Sequence, residues 1–456
     1  MATNASHLSD IMSNEEEKLL ACVHCGLCLE ACPTYLATGN ENDSPRGRLY
    51  LMRAVEQDRL SPTSAAFEGH INRCLGCRAC EQVCPAGVEY GNLLEGARAI
   101  IASTKKQRGL NYRLQHFLLR HIWLRPERLR ILFGMARFFR DTRLPTLLLK
   151  TGLPVRIWPR AAFALALLDG SSAATLKFTK GGDALIQEVN TASEPGRAAM
   201  LFKGCVTEGL FNRINDATQR VLNVNNFETQ TPTGQACCGA LHTHAGDLES
   251  ARSLARRNIE AFADSGKVPI VTNAGGCGAM LCTYGHLLAD DPEYSERARS
   301  FSARVQDVSQ VLPDCFVPAD GCHSADVTTY DSSCHLLYGQ RASDSSRQML
   351  LSTPGINYVP LQGSEVCCGG AGVYNLLEPK LSSLILREKL ANIERSGAKV
   401  LATGNPGCHM QIRAGATLTG MNDLRVCHPV EILDESYRCA GLYNSVSRVE
   451  KASVEN

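Results

Sequence analysis

Two stretches of cysteine stand out by their spacing. Cys22, Cys25, Cys28 and Cys32 precede Pro33, and Cys74, Cys77, Cys80 and Cys84 precede Pro85. Each run reads C-x2-C-x2-C-x3-C-P, the pattern that holds cubane iron–sulfur clusters. Three cysteines at intervals of three wrap a loop so that three thiolates converge. The fourth sits a helical turn further on and serves the other cluster. The expected sets for two [4Fe–4S] clusters are therefore Cys22, Cys25, Cys28 with Cys84, and Cys74, Cys77, Cys80 with Cys32. Each proline removes a backbone donor and turns the chain away. Structural zinc would need four ligands per site and no paired fourth cysteine before a proline.

Eight further cysteines belong to an internal repeat. Cys205, Cys237, Cys238 and Cys277 correspond to Cys334, Cys367, Cys368 and Cys408. The separations 205 to 334, 237 to 367 and 277 to 408 are 129, 130 and 131 residues. A near-constant offset means a duplicated unit. Each copy holds a single cysteine, a Cys-Cys-Gly and a Gly-Cys. A vicinal pair is strained as a disulfide, whereas two thiolates beside a glycine suit a metal cluster or a redox site. Cys282, Cys315, Cys322, Cys427 and Cys439 follow no such pattern and are expected to be structural.

The elements that position these groups are partly legible. Apolar runs such as 198–202, 268–273, 326–330 and 398–403 read as buried strands, with helical stretches at 248–263 and 379–395 between them. Strands alternating with helices imply a parallel α/β layer in each copy, with the cysteines at strand ends, where such sheets place ligands. In the N-terminal part, a short acidic helix is expected to end near Leu20, with Ser13 and Glu16 in capping-box spacing. Ser44 and Pro45 read as the cap and first turn of another helix, with Leu49, Leu51, Met52 and Val55 on its apolar face. Helical inserts between the cysteine runs suggest an α-helical ferredoxin domain of the succinate dehydrogenase kind. Arg46 and Arg48 are either balancing charges for a cluster or solvated first-turn arginines.

Residues 105–160 are compositionally distinct, with fourteen Lys or Arg against Glu127 and Asp141 in a chain of net charge +1. Leu114, Phe117, Leu118, Leu129, Ile131, Leu132, Met135, Phe138 and Phe139 interleave at helical spacing, and Pro126, Pro145 and Pro154 punctuate the segment. Two readings stand: a basic amphipathic surface for a membrane or acidic partner, or a packed helical linker. No recognition fold accompanies the basic patch, so nucleic acid is not an expected partner. A linker is expected over 179–195.

The chain's 456 residues allow about three domains. No run of eighteen apolar residues predicts a membrane span, and the acidic N-terminus lacks the apolar core of a signal peptide. Twenty-one cysteines without a secretory signal point to metal ligands in a reducing cytoplasm.

The duplicated pattern resembles the cysteine-rich CCG domain of the heterodisulfide reductases. A two-cluster ferredoxin domain fused to two CCG domains resembles the iron–sulfur subunits of glycolate oxidase, whose motifs fit 43–49 and Asn405-Pro406-Gly407-Cys408. The resemblance implies a multidomain chain: an α-helical ferredoxin domain (1–104), a basic helical linker (105–195), and two duplicated α/β CCG domains (196–320 and 321–456). Both copies lack the final cysteine of the family's C-x2-C. Cys277 is followed by Gly278-Ala279-Met280 and Cys408 by His409-Met410-Gln411. A simpler cluster and an unmetallated redox site both remain open. His335 and His409, each next to a cysteine, are candidate replacement ligands.

The sequence carries no flavin or nicotinamide fingerprint, no phosphate-binding loop and no catalytic triad. Gly369-Gly370-Ala371-Gly372 reads as a turn. No catalytic residue and no organic cofactor site are expected in this chain. The resemblance implies an oxidoreductase subunit that relays electrons from partner FAD chains, which oxidise glycolate, toward quinone. It also implies a cytoplasmic chain, peripheral at most on the inner membrane face. Two alternatives are the same role for a glycerol-3-phosphate or D-lactate dehydrogenase, and a thiol–disulfide enzyme.

Overall fold

Pro45 opens the helix on which the N-terminal domain is built. The computed structural model describes residues 16–104, 110–174, 176, 178–180, 196–312, 317 and 322–443. Five of the N-terminal helices are α1 (Glu16–Leu20), α2 (Pro33–Thr38), α3 (Pro45–Glu56), α4 (Ala65–Asn72) and α5 (Tyr90–Thr104). Ser44 Oγ accepts the Gly47 N–H at 3.0 Å and Ser64 Oγ accepts that of Phe67 at 3.1 Å, so both caps satisfy an orphan donor. Prolines start α2 and α3, where a missing N–H costs nothing. Leu49, Met52 and Val55 bury against Phe67, Ile71, Leu93, Leu94 and Ile100. Leu51 is only half-buried, and Ser13 lies outside the described residues.

The connecting segment is helical: α6 (Leu110–Leu118), a π turn at Leu119–Trp123, α7 (Pro126–Asp141), α8 (Leu144–Lys150), α9 (Leu153–Ile157) and α10 (Pro159–Asp169). Pro126, Pro145 and Pro154 each fall in the first turn of a helix, so they start helices rather than break them. The linker expected at 179–195 begins differently. Thr179 and Lys180 belong to β1 (Phe178–Lys180), which pairs antiparallel with β6 (Cys322–Ser324), and 181–195 lie outside the described residues.

Each repeat is a four-stranded parallel sheet. The first holds β2 (Arg197–Phe202), β3 (Phe227–Gln230), β4 (Ile270–Thr272) and β5 (Val305–Asp307), in the order β3-β2-β4-β5. The second holds β7 (Val327–Asp331), β8 (Asn357–Tyr358), β9 (Val400–Thr403) and β10 (Arg425–Cys427), in the order β8-β7-β9-β10. Counted within each copy, both are 2-1-3-4. The central strands β4 and β9 are buried along their whole length, as strands covered on both faces must be. The order reverses between β2 and β4, and between β7 and β9, and at such a point a crevice opens at the strands' carboxyl ends.

Helices α11 (Cys205–Leu210), α12 (Asn212–Val224), α13 (Ala240–His244), α14 (Leu248–Ala261) and α15 (Gly275–Cys282) belong to the first copy. The second contributes α16 (Ser343–Leu351), α17 (Pro379–Arg395), α18 (Pro406–Thr419) and α19 (Pro429–Ala440). Each copy has an apolar core of its own, around Phe202, Leu254 and Ile270 in the first and Leu386, Leu401 and Ile412 in the second, and a further core spans both. Val430, Leu433 and Tyr437 of α19 share one apolar core with Phe211, Ile214, Val221 and Leu222 of the first copy, and Leu129 and Phe133 of α7 close it. Around its rim Arg213 pairs with Glu431 and Arg220 with Asp434, each at 2.8 Å. Cys322 and Cys439, expected from the sequence to be structural, are joined by a disulfide between β6 and α19. Cys427 is buried and Cys282 half-buried, and Cys315 lies outside the described residues.

Candidate metal centres

The two N-terminal cysteine loops have the same backbone. Before and after the middle cysteine the chain turns left-handed: His24 (φ 56°) and Gly26 (φ 88°) in one loop, Gly76 (φ 65°) and Arg78 (φ 65°) in the other. For histidine and arginine this conformation is strained, by ~1–3 kcal/mol per residue, and such strain concentrates at functional sites. Two left-handed residues around one cysteine curl the loop about a centre, as three converging thiols require.

Two cavities lie inside these loops. Cys22, Cys25, Cys28 and Cys84 line one, and Cys32, Cys74 and Cys77 line the other, with Cys80 in the wall of both. Donors already face the sulfurs. Cys74 Sγ accepts from the Gly76 N–H at 3.4 Å and from the Tyr90 hydroxyl at 3.6 Å. Cys32 Sγ lies 3.2 Å from Thr34 Oγ1, which accepts from Arg48 at 3.1 Å. Cavities walled by cysteine sulfurs, with donors facing them, fit clusters held by thiolates.

Arg48 is fully buried, so it is not a solvated first-turn arginine. It donates to the His70 carbonyl at 2.7 Å and lies 3.7 Å from buried Asp43, which also accepts from Arg73 at 2.8 Å. Arg46 stays near the surface, bonded to Glu41 at 2.6 Å and to the His24 carbonyl at 3.2 Å. The 43–48 stretch thus ties α3 to both cysteine loops.

In each repeat the four cysteines meet at the sheet's reversal point. Cys205 follows β2 and Cys277 follows β4, while Cys237 and Cys238 arrive from the loop between β3 and α13. Cys205 Sγ is 3.4 Å from Cys237 Sγ, and the Cys238 and Cys277 thiols are neighbours. In the second copy Cys334 Sγ is 3.9 Å from Cys367 Sγ, and Cys368 is hydrogen-bonded to Cys408. Gly204, at φ 67°, lets the chain pass Cys277. A Cβ there would sit 3.4 Å from its sulfur. The positions of the missing final cysteines are filled otherwise. Met280 Sδ accepts from Thr243 Oγ1 at 3.7 Å, and buried Gln411 donates to Ser382 Oγ at 3.0 Å and accepts from Asn375 at 2.8 Å.

Of the two histidines considered as substitute ligands, His335 has a hydrogen-bond partner, whereas His409 has a ring contact and its Nδ1 is buried without a hydrogen bond. His335 Nε2 is 3.1 Å from the Gly76 carbonyl, and the His409 ring packs edge-on to Phe211 with centroids 4.8 Å apart. Burial pushes both rings below the usual histidine pKa, so both are neutral.

The contact of His335 with Gly76 is part of a larger junction. Leu75 and Cys77 of the ferredoxin loop share an apolar cluster with Cys334, Cys367 and Tyr374 of the second copy, and the Tyr374 hydroxyl donates to the Arg73 carbonyl at 3.0 Å. The copies also touch each other at their glycine-rich turns. The Gly275 N–H donates to the Gly404 carbonyl at 2.9 Å and the Gly276 N–H to Asn405 Oδ1 at 3.1 Å. The ferredoxin domain also touches the first repeat directly, where α5 packs on α13 and the Arg98 carbonyl lies against Gly246.

The charge behind the second set leaves no motif in the sequence. Buried Lys389 on α17 meets buried Asp331 at the end of β7 at 2.8 Å and donates to the Gly363 and Ser364 carbonyls at 2.7 and 3.0 Å. Lys389→Met should destabilise the chain by ~3–5 kcal/mol, because it strands a carboxylate in the interior. Adding Asp331→Asn should restore most of that loss. Equal denaturant midpoints for the parent and the Lys389 variant would refute this account.

A family model for a 4Fe-4S dicluster domain matches residues 18–88, and one for a cysteine-rich domain matches 199–282 and 327–413. The probable glycolate oxidase iron–sulfur subunit of Bacillus subtilis (strain 168) is 36% identical over 432 residues, 92% of this chain and 95% of that protein. The chain belongs to the glycolate oxidase iron–sulfur subunit family. The Escherichia coli (strain K12) glycolate oxidase iron–sulfur subunit is 29% identical over 92% of this chain and 94% of that protein. Lactate utilization protein A of Shouchella clausii is 30% identical over 51% of this chain and 97% of its own length. Membership makes the chain an iron–sulfur subunit of an oxidoreductase, with a ferredoxin-type domain and two CCG repeats in the arrangement expected from its cysteines.

Proposed function

We propose that this chain relays electrons in a flavin-dependent glycolate (2-hydroxy acid) dehydrogenase complex, from FAD-bearing partner chains to an acceptor, quinone. The observation that carries the reading is the junction at which Cys77 of the ferredoxin loop and Cys334 and Cys367 of the second repeat share one apolar cluster. Iron–sulfur clusters, when bound, accept and release single electrons. In this reading Cys22, Cys25, Cys28 and Cys84 hold one [4Fe–4S] cluster, and Cys74, Cys77, Cys80 and Cys32 hold the other. The thiols of the repeats hold a further cluster or act as a redox site. Leu75, Tyr374 and Ile385 keep water out between the two sets, and Tyr90 and Gly76 orient Cys74. The domain division at 104, 195 and 320 and the cytoplasmic placement belong to this proposal.

The relatives named for lactate utilization keep a second substrate, lactate, in view. A thiol–disulfide enzyme is less well supported, because Met280 and Gln411 stand at the final-cysteine positions with their own hydrogen bonds. The test is purification without oxygen through a tag on this chain. Two FAD chains should copurify, with about eight iron and eight labile sulfide from the ferredoxin domain. Glycolate should then reduce quinone only when this chain is present. Stoichiometric zinc without sulfide, or undiminished quinone reduction without the chain, would overturn the proposal. A response to lactate alone would move the substrate, not the role.

A further inference from the structure

Helix α7 is apolar on two opposite sides. Leu129 and Phe133 face the shared core, with Phe133 lying over the bare backbone of Gly209. On the other side, at i, i+4 and i+7, Ile131, Met135 and Phe138 point outward, 64%, 60% and 76% exposed. Burial inside this chain accounts for the first face and leaves the second uncovered.

The neighbouring helices continue it. Helix α8 packs on α7, α9 and α10 and exposes Leu144 and Leu147. Between α9 and α10 the chain turns at Ile157 and Trp158, and Trp158 is 72% exposed. Half of the exposed large apolar side chains among the described residues fall within 114–158. The basic residues of the segment surround them. Arg128, Arg130, Arg143, Lys150, Arg156 and Arg160 are all exposed. Leu144 and Leu147 also line a cavity of about 1050 Å³ whose walls carry Arg140, Arg143, Lys150, Arg413 and Arg425 against Asp141 and Asp169.

We propose that the outer face of α7–α10 seats the protein on an anionic lipid surface. Phe138, Leu147 and the Ile157–Trp158 tip would enter the headgroup boundary, the arginines would meet lipid phosphates, and the basic cavity would admit a headgroup. Charge complementarity selects this occupant. Arg128, Arg130, Arg143, Lys150, Arg156 and Arg160 are exposed on α7–α10 against the two exposed acidic side chains of Glu127 and Asp141, so the face suits a negatively charged plane. The core of a protein–protein interface is depleted of charge, whereas here arginines flank the apolar tips. Aromatic and aliphatic side chains ringed by arginine are what an interfacial helix presents. No helix of the described residues is long and apolar enough to cross a membrane, so the contact is with the surface. This inference goes beyond the proposed function and does not depend on which substrate the partner oxidises.

The test uses the full chain, alone and within its complex. Both should sediment with phosphatidylglycerol-containing vesicles and not with neutral phosphatidylcholine vesicles. Raising salt should weaken binding by about tenfold or more, because exposed charges are screened. Arg128→Glu with Arg130→Glu should weaken it likewise, and Ile157→Ser with Trp158→Ser should remove the apolar part. The chain has two tryptophans, Trp123 and Trp158. Brominated lipid should quench emission in the parent and not in Trp158→Phe, a variant that leaves the fold and the metal centres untouched. Equal binding to neutral vesicles, indifference to salt, or Trp158 already shielded from a soluble quencher in the lipid-free complex would overturn the proposal. The last result would assign the face to a partner chain.

Discussion

Replacing both Cys367 and Cys368 by alanine should reduce acceptor reduction to background, while substrate still bleaches the partner's flavin. The two sulfurs lie in the middle of the second repeat's thiol chain, Cys367 beside Cys334 and Cys368 beside Cys408. Their removal breaks that set in two. Cys367 also belongs to the apolar cluster that includes Cys77, so the variant leaves Cys334 as the repeat's one sulfur at the junction. Both side chains are small and buried, and alanine leaves little void, so the sheet should survive. Flavin reduction is chemistry of another chain and should be unchanged. The same change in the first repeat, Cys237→Ala with Cys238→Ala, is expected to act less directly, since no thiol of that set belongs to the apolar cluster that includes Cys77. Normal quinone reduction by the Cys367/Cys368 variant, with its ferredoxin clusters intact, would make these thiols structural and end the relay at the cubanes.

The second large effect concerns Cys84. Cys84→Ser should lower the ferredoxin domain's iron from about eight to about four atoms and remove the spectroscopic signal of the cluster that Cys22, Cys25 and Cys28 share. The reason is spatial. Cys84 is adjacent in sequence to the second run but lines the cavity of the first, whereas Cys32 lines the cavity of the second. Cys32→Ser should produce the opposite loss. If Cys84→Ser instead removed the signal tied to Cys74 and Cys77, ligation would follow sequence order and the crossed sets would be wrong.

What the sequence shows plainly is what a short stretch of backbone enforces by itself. Cluster-binding runs need fixed spacing, so both were readable, and the Ser44 cap depends only on residues three apart. The repeat was readable because three landmarks kept their offset. Relations between distant residues left no such trace. Cys77 and Cys334, or Asp331 and Lys389, come together only through the packing of whole elements. Arg48 looked like any arginine in a first turn, and only the fold reveals that Thr34 and Asp43 enclose it. Adjacency misled in the case of the histidines. Successive residues on a helix point about 100° apart, so His409 turns toward Phe211 while Cys408 turns toward Cys368. In α7 the helical spacing of apolar residues was visible, but not that they formed two faces, one of them outward.

The position of α19 bears on how the molecule is made. This helix is the last described element of any length, yet Val430, Leu433 and Tyr437 complete the interior against α12, more than two hundred residues earlier. During synthesis the first repeat emerges with its own core but with the side of α12 that α19 covers still open to water. An N-terminal unit usually folds before its successor is made, and here that order leaves one face of the first repeat unfinished until α19 arrives. An early stop that deletes α19 would therefore expose apolar surface on a repeat to which that helix never belonged.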